Sequence, residues 1–348
     1  MQIREKLFKM SKVFDEIFIA PSSDLGNIPQ GEIPFIGRTA SNNGIQAEVN
    51  VDSSKVIKGG CITVSMVGTN VAKFHQYDFT CSQNILVLKN NNLNKYNAFY
   101  LVAVIDKYLM SKRYGYGHPV SLKRFVKDCL PLPVDVNGNP DYAFMESYMK
   151  QKEQESLDRY RKFVSNRLKE LQDYKEVWGG VQNLDNRGWK EFYLQDIFNE
   201  MQRGKRLKKA DHKVGKIPYI SSTAINNGLD GFIGNTDSVR LFQKCLTIAN
   251  SGSVGATFYH SYAFVASDHV TKLENKILNE HAYMFLSVLL NRMGSKYSFN
   301  REINDTRIKR EKIMLPVNQA DEPDYDFMEN YMKKLEYKKL SKYLSCKA

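Results

Sequence analysis

Cysteine is scarce in this sequence: the 348 residues include only five, and no two of them form a Cys-x-x-Cys pair. An odd number of widely spaced cysteines predicts neither a disulfide scaffold nor a zinc ribbon. Six histidines without close His or Cys neighbours likewise predict no metal site. We therefore expect reduced, mostly buried thiols at Cys61, Cys81, Cys129, Cys245 and Cys346.

Long apolar runs are also missing. No window approaches 18 uncharged apolar residues, so membrane spans are not expected. The first ten residues contain Arg4, Glu5, Lys6 and Lys9 and have no apolar core, which is unlike a secretion signal. The sequence therefore predicts a cytoplasmic protein with no membrane partner.

The common catalytic motifs are absent. The sequence has no G-x-x-x-x-G-K-[ST] phosphate loop, no H-E-x-x-H zinc helix and no G-x-S-x-G elbow. The tetrapeptide Asn139-Pro140-Asp141-Tyr142 is superficially like the N-P-P-Y of adenine methyltransferases, but its third residue is Asp. Pro followed by Asp is typical of a helix start. We expect no catalytic residue and no cofactor in this chain, and an enzyme with an unrecognised site is the alternative.

Positive charge is plentiful. Fifty Lys and Arg against 38 Asp and Glu give a formal net charge of +12, which favours an anionic partner such as nucleic acid.

The chain also repeats itself. Residues Pro140–Lys150, PDYAFMESYMK, recur 183 positions later at Pro323–Lys333 as PDYDFMENYMK. Upstream, Ile33-Pro34-Phe35-Ile36 matches Ile217-Pro218-Tyr219-Ile220 at an offset of 184. Such self-similarity predicts two copies of one structural unit.

Each copy combines a strand-rich body with a helix. Short β-branched runs at Cys61–Val67, Ile85–Leu88, Cys245–Ala249 and His269–Leu273 predict strands, and helices are expected at about 98–109 and 282–290. Asn-Gly at 43–44 and 227–228 predicts a hairpin turn in each body. The fold class is therefore α+β. The predicted division is 1–138 first body, 139–182 first long helix, 183–320 second body and 321–348 second, shorter helix.

The segment from Asp141 to about Trp178 lacks Pro and Gly and predicts a long helix. Apolar residues follow a heptad pattern that only Arg167 interrupts, which predicts a helical partner. We expect the two long helices to pack as an antiparallel, pseudo-twofold pair; the alternative is that each packs on its own body. The predicted interface residues are Leu157, Tyr160, Val164, Leu171, Tyr174, Met328, Met332 and Leu335.

Three kinds of segment carry side chains that contact DNA in other proteins: a basic loop, basic and aromatic stretches after the short helices, and polar turns. Each has an ordinary alternative, as a solvated loop, a half-buried strand or a structural turn. The candidates are Arg38, Thr39, Ser41, Asn42, Lys112, Arg113, Tyr114, Tyr116, His118, Arg203, Lys205, Arg206, Lys208, Lys209, Ser221, Ser222, Thr223, Asn250, Ser251, Lys296, Tyr297 and Arg301.

The two-copy layout, with Gly204-Lys205-Arg206, Gly215–Ile220, Ala249–Gly255 and Ser267–Val270, resembles the specificity subunits of type I restriction-modification systems and the similar BcgI-like type IIB subunits. This resemblance implies two target recognition domains, separated by long helices that form an antiparallel coiled coil, in a non-catalytic chain. It implies double-stranded DNA and two methyltransferase subunits as partners, with a restriction and translocase subunit as a further one. S-adenosylmethionine, ATP and Mg²⁺ are then expected only in those partner subunits.

The first body departs from the second in these loops. It has Pro21–Gly26 where the second body has Gly204-Lys205-Arg206, so the resemblance implies an asymmetric, bipartite DNA target. A protein-binding adaptor that reads no DNA is the alternative from another class.

Overall fold

The computed structural model of the chain describes residues 4–68, 70–112, 114, 118–174, 183–297 and 302–347. The chain divides into two compact units, Met1–Tyr160 and Arg161–Ala348. The longest helix crosses this boundary along the chain, so its beginning belongs to the first unit and its end to the second. The four-part division stated above stays a prediction.

The first unit contains strands and helices in the order typical of an α+β body. The strands are β1 Glu5–Lys9, β2 Glu16–Ile19, β3 Gln30–Ile36, β4 Ile45–Val49, β5 Cys61–Ser65, β6 Ala72–His75, β7 Thr80–Cys81, β8 Ile85–Lys89 and β9 Cys129–Pro133. The helices are α1 Met10–Val13, α2 Lys95–Lys112, α3 Leu122–Phe125 and α4 Tyr142–Gln172.

The second unit repeats this order. Its strands are β10 Trp189–Tyr193, β11 Glu200–Arg203, β12 Ile217–Ile220, β13 Leu229–Ile233, β14 Leu241–Phe242, β15 Cys245–Ala249, β16 Thr257–His260, β17 Phe264–Ala266, β18 Val270–Glu274 and β19 Lys312–Pro316. Its helices are α5 Leu194–Ile197, α6 Glu280–Met293, α7 Asp305–Arg310 and α8 Tyr325–Lys347.

Both bodies have the same sheet topology. The first has an antiparallel sheet in the order β2-β8-β5-β6, and the second has β11-β18-β15-β16. Each also has a mixed sheet built on a hairpin, in the order β4-β3-β7 in the first body and β13-β12-β17-β14 in the second, where β14 is an additional strand. The two-copy α+β architecture predicted from the sequence is confirmed.

The central strands β5 and β15 are buried along their whole length because both of their faces are covered. In β5, Ile62 and Val64 pack in the core that includes α2, while Cys61 packs in a second cluster with the mixed sheet. In β15, Leu246 and Ile248 pack with α6, and Cys245 again faces the other cluster. The free thiols of Cys61, Cys81 and Cys245 are accordingly buried, while Cys129 is half-buried and Cys346 is exposed.

A buried threonine and histidine pair occurs at the same place in both bodies. The Thr63 hydroxyl lies 2.8 Å from Nε2 of His75, and the Thr247 hydroxyl lies 2.8 Å from Nε2 of His260. Burial lowers the pKa of both histidines to about 4, so both are neutral at physiological pH. These hydrogen bonds give His75 and His260, two of the six histidines, a structural role in the cores of the bodies.

The long helices begin as the sequence predicted. Asp141 accepts a hydrogen bond from the backbone N–H of Phe144 at 2.8 Å, and Asp324 does the same for Phe327 at 2.9 Å. Each aspartate therefore satisfies an amide that has no partner within its helix. The predicted first helix extends to Trp178, whereas α4 ends at Gln172; residues 175–178 lie outside the described residues.

Other predicted bounds shift by a few residues. The strand predicted at Cys61–Val67 ends at Ser65, and α2 and α6 are longer at both ends than the helices predicted from the sequence. Within the described ranges, no helix combines the length and apolar character that crossing a bilayer requires.

Candidate DNA interface

The basic loop starts at a fixed point on the second body. The backbone N–H of Gly204 donates to the carbonyl of Val270 at 3.0 Å, and that of Lys205 donates to the carbonyl of Ala266 at 3.2 Å. A Cβ at position 204 would lie 2.1 Å from the Ala266 oxygen, so this approach requires glycine. The following cations at Lys205, Arg206, Lys208 and Lys209 are exposed, and none has an ion-pair partner among the described residues.

Arg203 differs from the other predicted cations of this segment. Its guanidinium binds Asp305 at 2.5 Å and the carbonyl of Ile303 at 3.1 Å, and its own carbonyl accepts from Arg240. Most of its donors are therefore used within the protein. The structure favours a role for Arg203 in attaching α7 to β11, and its contact with DNA stays a prediction.

A pocket of about 340 Å³ lies beside the loop. It brings together predicted residues that the sequence could not show to be neighbours, since they come from the basic loop and from the turn after β12. The predicted residues that line it are Arg206, Lys208, Lys209, Ser221 and Ser222. Thr223, in the same turn, is half-buried, and its hydroxyl accepts from the backbone N–H of Ile225 at 3.2 Å.

Four further polar residues of this pocket were not among the predicted contacts: His212, Asp230, Asp268 and His269. They lie on separate segments, which meet only because β12 pairs with β13 and β17. Nε2 of His212 is buried without a hydrogen-bond partner in the described structure, and its ring packs edge-on against Tyr219. No local spacing in the sequence could have identified this group.

Asn250 and Ser251, predicted as base-contacting residues, are buried. Asn250 is 1% exposed, and its amide oxygen accepts from the hydroxyl of Thr271 at 3.0 Å. The Ser251 hydroxyl lies 2.7 Å from Nδ1 of His269. Both side chains therefore fix the loop after β15 and hold His269 beside the pocket, and their contact with DNA stays a prediction.

In the first body, the predicted residues Arg38, Thr39, Ser41 and Asn42 lie on the turn between β3 and β4. Arg38, Ser41 and Asn42 are exposed. Thr39 is half-buried; its carbonyl accepts from the ammonium group of the buried Lys73, and its hydroxyl accepts from the backbone N–H of Ser41.

The Asn-Gly pair of this turn has the structural role that the sequence indicated. Asn43 and Gly44 have φ values of +48° and +83°, a region in which Asn and Gly are best tolerated. The Asn43 side chain donates to the carbonyl of Phe74 at 3.0 Å, which fastens the turn to β6.

The stretch after α2 is only partly described. Lys112 is exposed, with its ammonium 5.6 Å from the centroid of the Tyr108 ring. Tyr114 is half-buried and stacks on the exposed ring of His118 at 5.3 Å. Arg113 and Tyr116 lie outside the described residues.

The equivalent stretch of the second body is tied to the protein. Tyr297 is 9% exposed and packs in the core, where its hydroxyl donates to Glu311. Lys296 lies 3.5 Å from the same glutamate. Tyr297 therefore supports the core of the second body, and its predicted contact with DNA stays a prediction. Arg301 lies outside the described residues.

The predicted helix-pair residues fall into two groups. On α4, Val164 and Leu171 are buried and Leu157 is half-buried, whereas Tyr160 and Tyr174 are 43% and 42% exposed. On α8, Met328 is a core residue of the second body, and Met332 and Leu335 line a cavity of about 600 Å³ beside α6. The structure thus places these three α8 residues beside their own body, and the predicted helix-pair interface stays a prediction.

Arg167, the charged residue in the heptad pattern, is a centre of contact within the second unit. Its guanidinium binds Glu336 of α8 at 2.8 Å and also binds Glu280 at the start of α6. Burial opposes the charge on Glu336, but hydrogen bonds from His281 and Arg167 outweigh it and lower its pKa to about 2. Further along, the ammonium group of Lys333 lies 3.3 Å from the centroid of the Tyr174 ring. Arg167 contacts Glu336, and the later residue Tyr174 contacts the earlier residue Lys333. This order is antiparallel.

Comparison with known proteins identifies the family. The model of the type I restriction modification DNA specificity domain matches residues 20–159 and 186–343. The chain belongs to this family. As a specificity subunit of a restriction-modification system, it is 29% identical to S.BcgI, a type II restriction enzyme specificity subunit from Heyndrickxia coagulans, over 97% of this chain and 96% of that one.

Two further proteins to which the chain is similar are described as type I subunits. A putative type I specificity subunit from Mycoplasma pneumoniae is 22% identical over 68% of this chain and 63% of its own length. The crystal structure of the S subunit of a type I restriction-modification system from M. genitalium aligns with 99% of this chain and 92% of that one, at 15% identity and a TM-score of 0.45.

Proposed function

We propose that this specificity subunit recognises a bipartite, asymmetric DNA target, with each body reading one half-site. The observation that carries this proposal is the exposed basic loop of the second body, whose four cations lie beside a pocket lined with hydrogen-bonding groups. Cations supply affinity by neutralising phosphates, and polar groups beside them select bases. The first body offers a different set of side chains at its turn, so the two half-sites differ.

The chain acts on DNA through partners and has no catalytic role of its own. Two methyltransferase subunits dock on the long helices, each supplied with S-adenosylmethionine, and methylate N6 of an adenine that is flipped out of each half-site. A restriction and translocase subunit that uses ATP and Mg²⁺ joins them in a type I system. The similarity to S.BcgI over nearly the whole chain favours a type IIB system as the second candidate.

The long helices set the distance between half-sites as an antiparallel coiled coil. At ~1.5 Å per residue, the 31 residues of α4 span ~46 Å. Half-site centres are then about one to one and a half DNA turns apart. Insertion of equal lengths into both helices should lengthen the spacer in the methylated sequence and leave both half-site sequences as they were.

Salt-dependent binding of duplex DNA tests the role of the loop. Replacing Lys205, Arg206, Lys208 and Lys209 by Ala should weaken binding and reduce the slope of log K against log salt concentration by ~0.9 for each phosphate that is no longer neutralised. The matched control is Lys338→Ala/Lys339→Ala, which removes two exposed cations from α8. If the loop variant keeps the affinity and slope of the control, the adaptor function is favoured instead.

Incubation with Mg²⁺ and duplex DNA tests the non-catalytic role. The purified chain without partners should leave the DNA intact and unmethylated when S-adenosylmethionine is added. Cleavage or methylation by the chain alone would contradict the proposal.

A further inference from the structure

The pocket beside the basic loop contains two carboxylates among its cations. Asp230 and Asp268 both line it, together with Arg206 and Lys208. Within the described ranges, neither carboxylate lies within 4.0 Å of a basic nitrogen. The carboxylates and the cations therefore line the same pocket, but they form no ion pairs with each other.

The fold directs both carboxylates into the pocket. Asp230 and Phe232 alternate with Gly231 on β13, so they lie on the same face of the sheet, and both line the pocket. Asp268 is at the tip of the tight turn between β17 and β18, which a hydrogen bond from the N–H of Val270 to the carbonyl of Ser267 closes at 3.1 Å. Burial, and then the charges of Asp268 and Asp230, raise the pKa of the Tyr219 hydroxyl, so both carboxylates are near this one group.

A carboxylate on a DNA-binding surface is repelled by phosphates, so it lowers affinity unless it accepts a hydrogen bond from a base. In the major groove, cytosine offers the N4 amino group as a donor, and Asp or Glu can accept from it. Adenine offers an amino group next to the N7 acceptor, which suits the donor and acceptor of an amide and repels a second acceptor. Guanine offers two acceptors, which suit Arg or Lys.

Building on the proposed function, we propose that Asp230 and Asp268 are specificity-determining residues that accept hydrogen bonds from cytosine N4, so that the second half-site contains a G·C pair. Arg206 and Lys208 supply the donors for its guanine. The first body has the amide of Asn42 and hydroxyl groups at its turn and lacks this combination of charges there, which distinguishes the two half-sites.

Selection of duplexes from a random-sequence library by the full chain tests this assignment. The wild-type chain should enrich a half-site with an invariant G·C pair. Asp230→Asn and Asp268→Asn should each reduce the preference for cytosine at one position about tenfold or more and admit adenine there, because an amide suits adenine. The matched control is Asp237→Asn, which removes an exposed carboxylate of the same body that is not among the pocket residues.

The outcomes distinguish a failure of this inference from a failure of the proposed function. If Asp230→Asn and Asp268→Asn strengthen binding to every duplex equally, as loss of a repulsive charge would, and leave the base preference unchanged, this inference is overturned while the proposed function stands. If the wild-type chain enriches no sequence at all, the proposed function fails and the inference fails with it. Each variant should have the same midpoint temperature of thermal unfolding as the wild-type chain, which shows that all the chains compared are folded.

Discussion

Lys150 and Lys333 occupy the same place in the two copies, yet their surroundings differ. Each follows a glutamate by four residues on a long helix and forms an ion pair with it, at 2.6 Å with Glu146 and 2.5 Å with Glu329. The Lys150 side chain is 54% exposed, whereas that of Lys333 is 8% exposed and lies over the Tyr174 ring. The same local pairing thus serves on an open helix face in one copy and in a covered interface in the other.

The residues at the start of the short helices show how this difference is accommodated. In the first copy, Lys95 and the hydroxyl of Tyr96 bind Glu153, at 3.0 Å and 2.9 Å. In the second copy, glutamate and histidine stand at these positions as Glu280 and His281. Glu280 and Glu336, two neighbouring acidic groups there, require a cation from elsewhere, which Arg167 provides.

The comparison separates what duplication has kept from what has diverged. The buried threonine and histidine pair and the aspartate at the start of each long helix are the same in both copies. The groups that face outward differ: Arg38 and Asn42 are exposed on the turn of the first body, whereas the cation-rich loop and the pocket are in the second. A shared scaffold with unlike surface groups suits a protein that reads two unlike half-sites.

The largest expected effect tests whether the two cores are equivalent. Leu101 of α2 and Leu286 of α6 are both fully buried in matching positions. Each substitution to Ala should reduce the free energy of unfolding by about 2–5 kcal/mol, because it removes buried methyl groups and leaves a cavity. Denaturant titration measures the loss, and Met110→Ala, at an exposed site on α2, is the control. A loss at only one of the two leucines would break the equivalence.

A smaller effect is expected where the copies differ. Arg167→Met should reduce the free energy of unfolding of the second unit by about 1–3 kcal/mol, because it leaves the neighbouring carboxylates of Glu280 and Glu336 without this cation. Both carboxylates remain partly exposed to water, which limits the loss. Lys95→Met removes an exposed ion pair with Glu153 in the first copy and should reduce the free energy of unfolding much less. Adding Glu280→Gln and Glu336→Gln to Arg167→Met should restore part of the loss. Equal losses for Arg167→Met and Lys95→Met would contradict the distinction.

The smallest effect is a pH dependence. Because the folded state lowers the pKa of Glu336 from 4.5 to about 2, ionised Glu336 stabilises the fold above pH ~4.5, and this stabilisation is lost as the pH falls toward 2. The difference in unfolding free energy between wild type and Glu336→Gln should therefore be constant near neutrality and should shrink between about pH 4.5 and pH 2. Glu170→Gln, which changes an exposed partner of the same arginine, is the control. A difference that stays constant down to pH 2 would show that the pKa is not lowered.

The fold could be predicted because the two copies have similar sequences over long stretches. Similar residues at equal spacing specify the same strands and helices. The surroundings of the candidate DNA-contacting residues were harder to predict. Arg203 and Arg206 lie three positions apart and look alike in the sequence, but Arg203 meets Asp305, which is about a hundred residues away. Tertiary pairing of this kind decides whether a cation is available to DNA.

The same limit applies to the helices and the pocket. Met332 and Leu335 continue the apolar stripe of α8, and the stripe alone cannot say whether α6 or α4 covers it. Asp230 and Asp268 belong to separate strands and turns, and only the pairing of β12 with both β13 and β17 brings them to one pocket.

The central claim is that two bodies of one scaffold read two different sequences. The most direct test is selection from random duplexes by three full chains: wild type, Arg38→Ala/Asn42→Ala in the first body, and Arg206→Ala/Lys208→Ala in the second. We expect wild type to select two unlike half-sites at a constant spacing, and each variant to relax one half-site and leave the other unchanged. A single continuous site, or half-sites that both relax in either variant, would contradict the account.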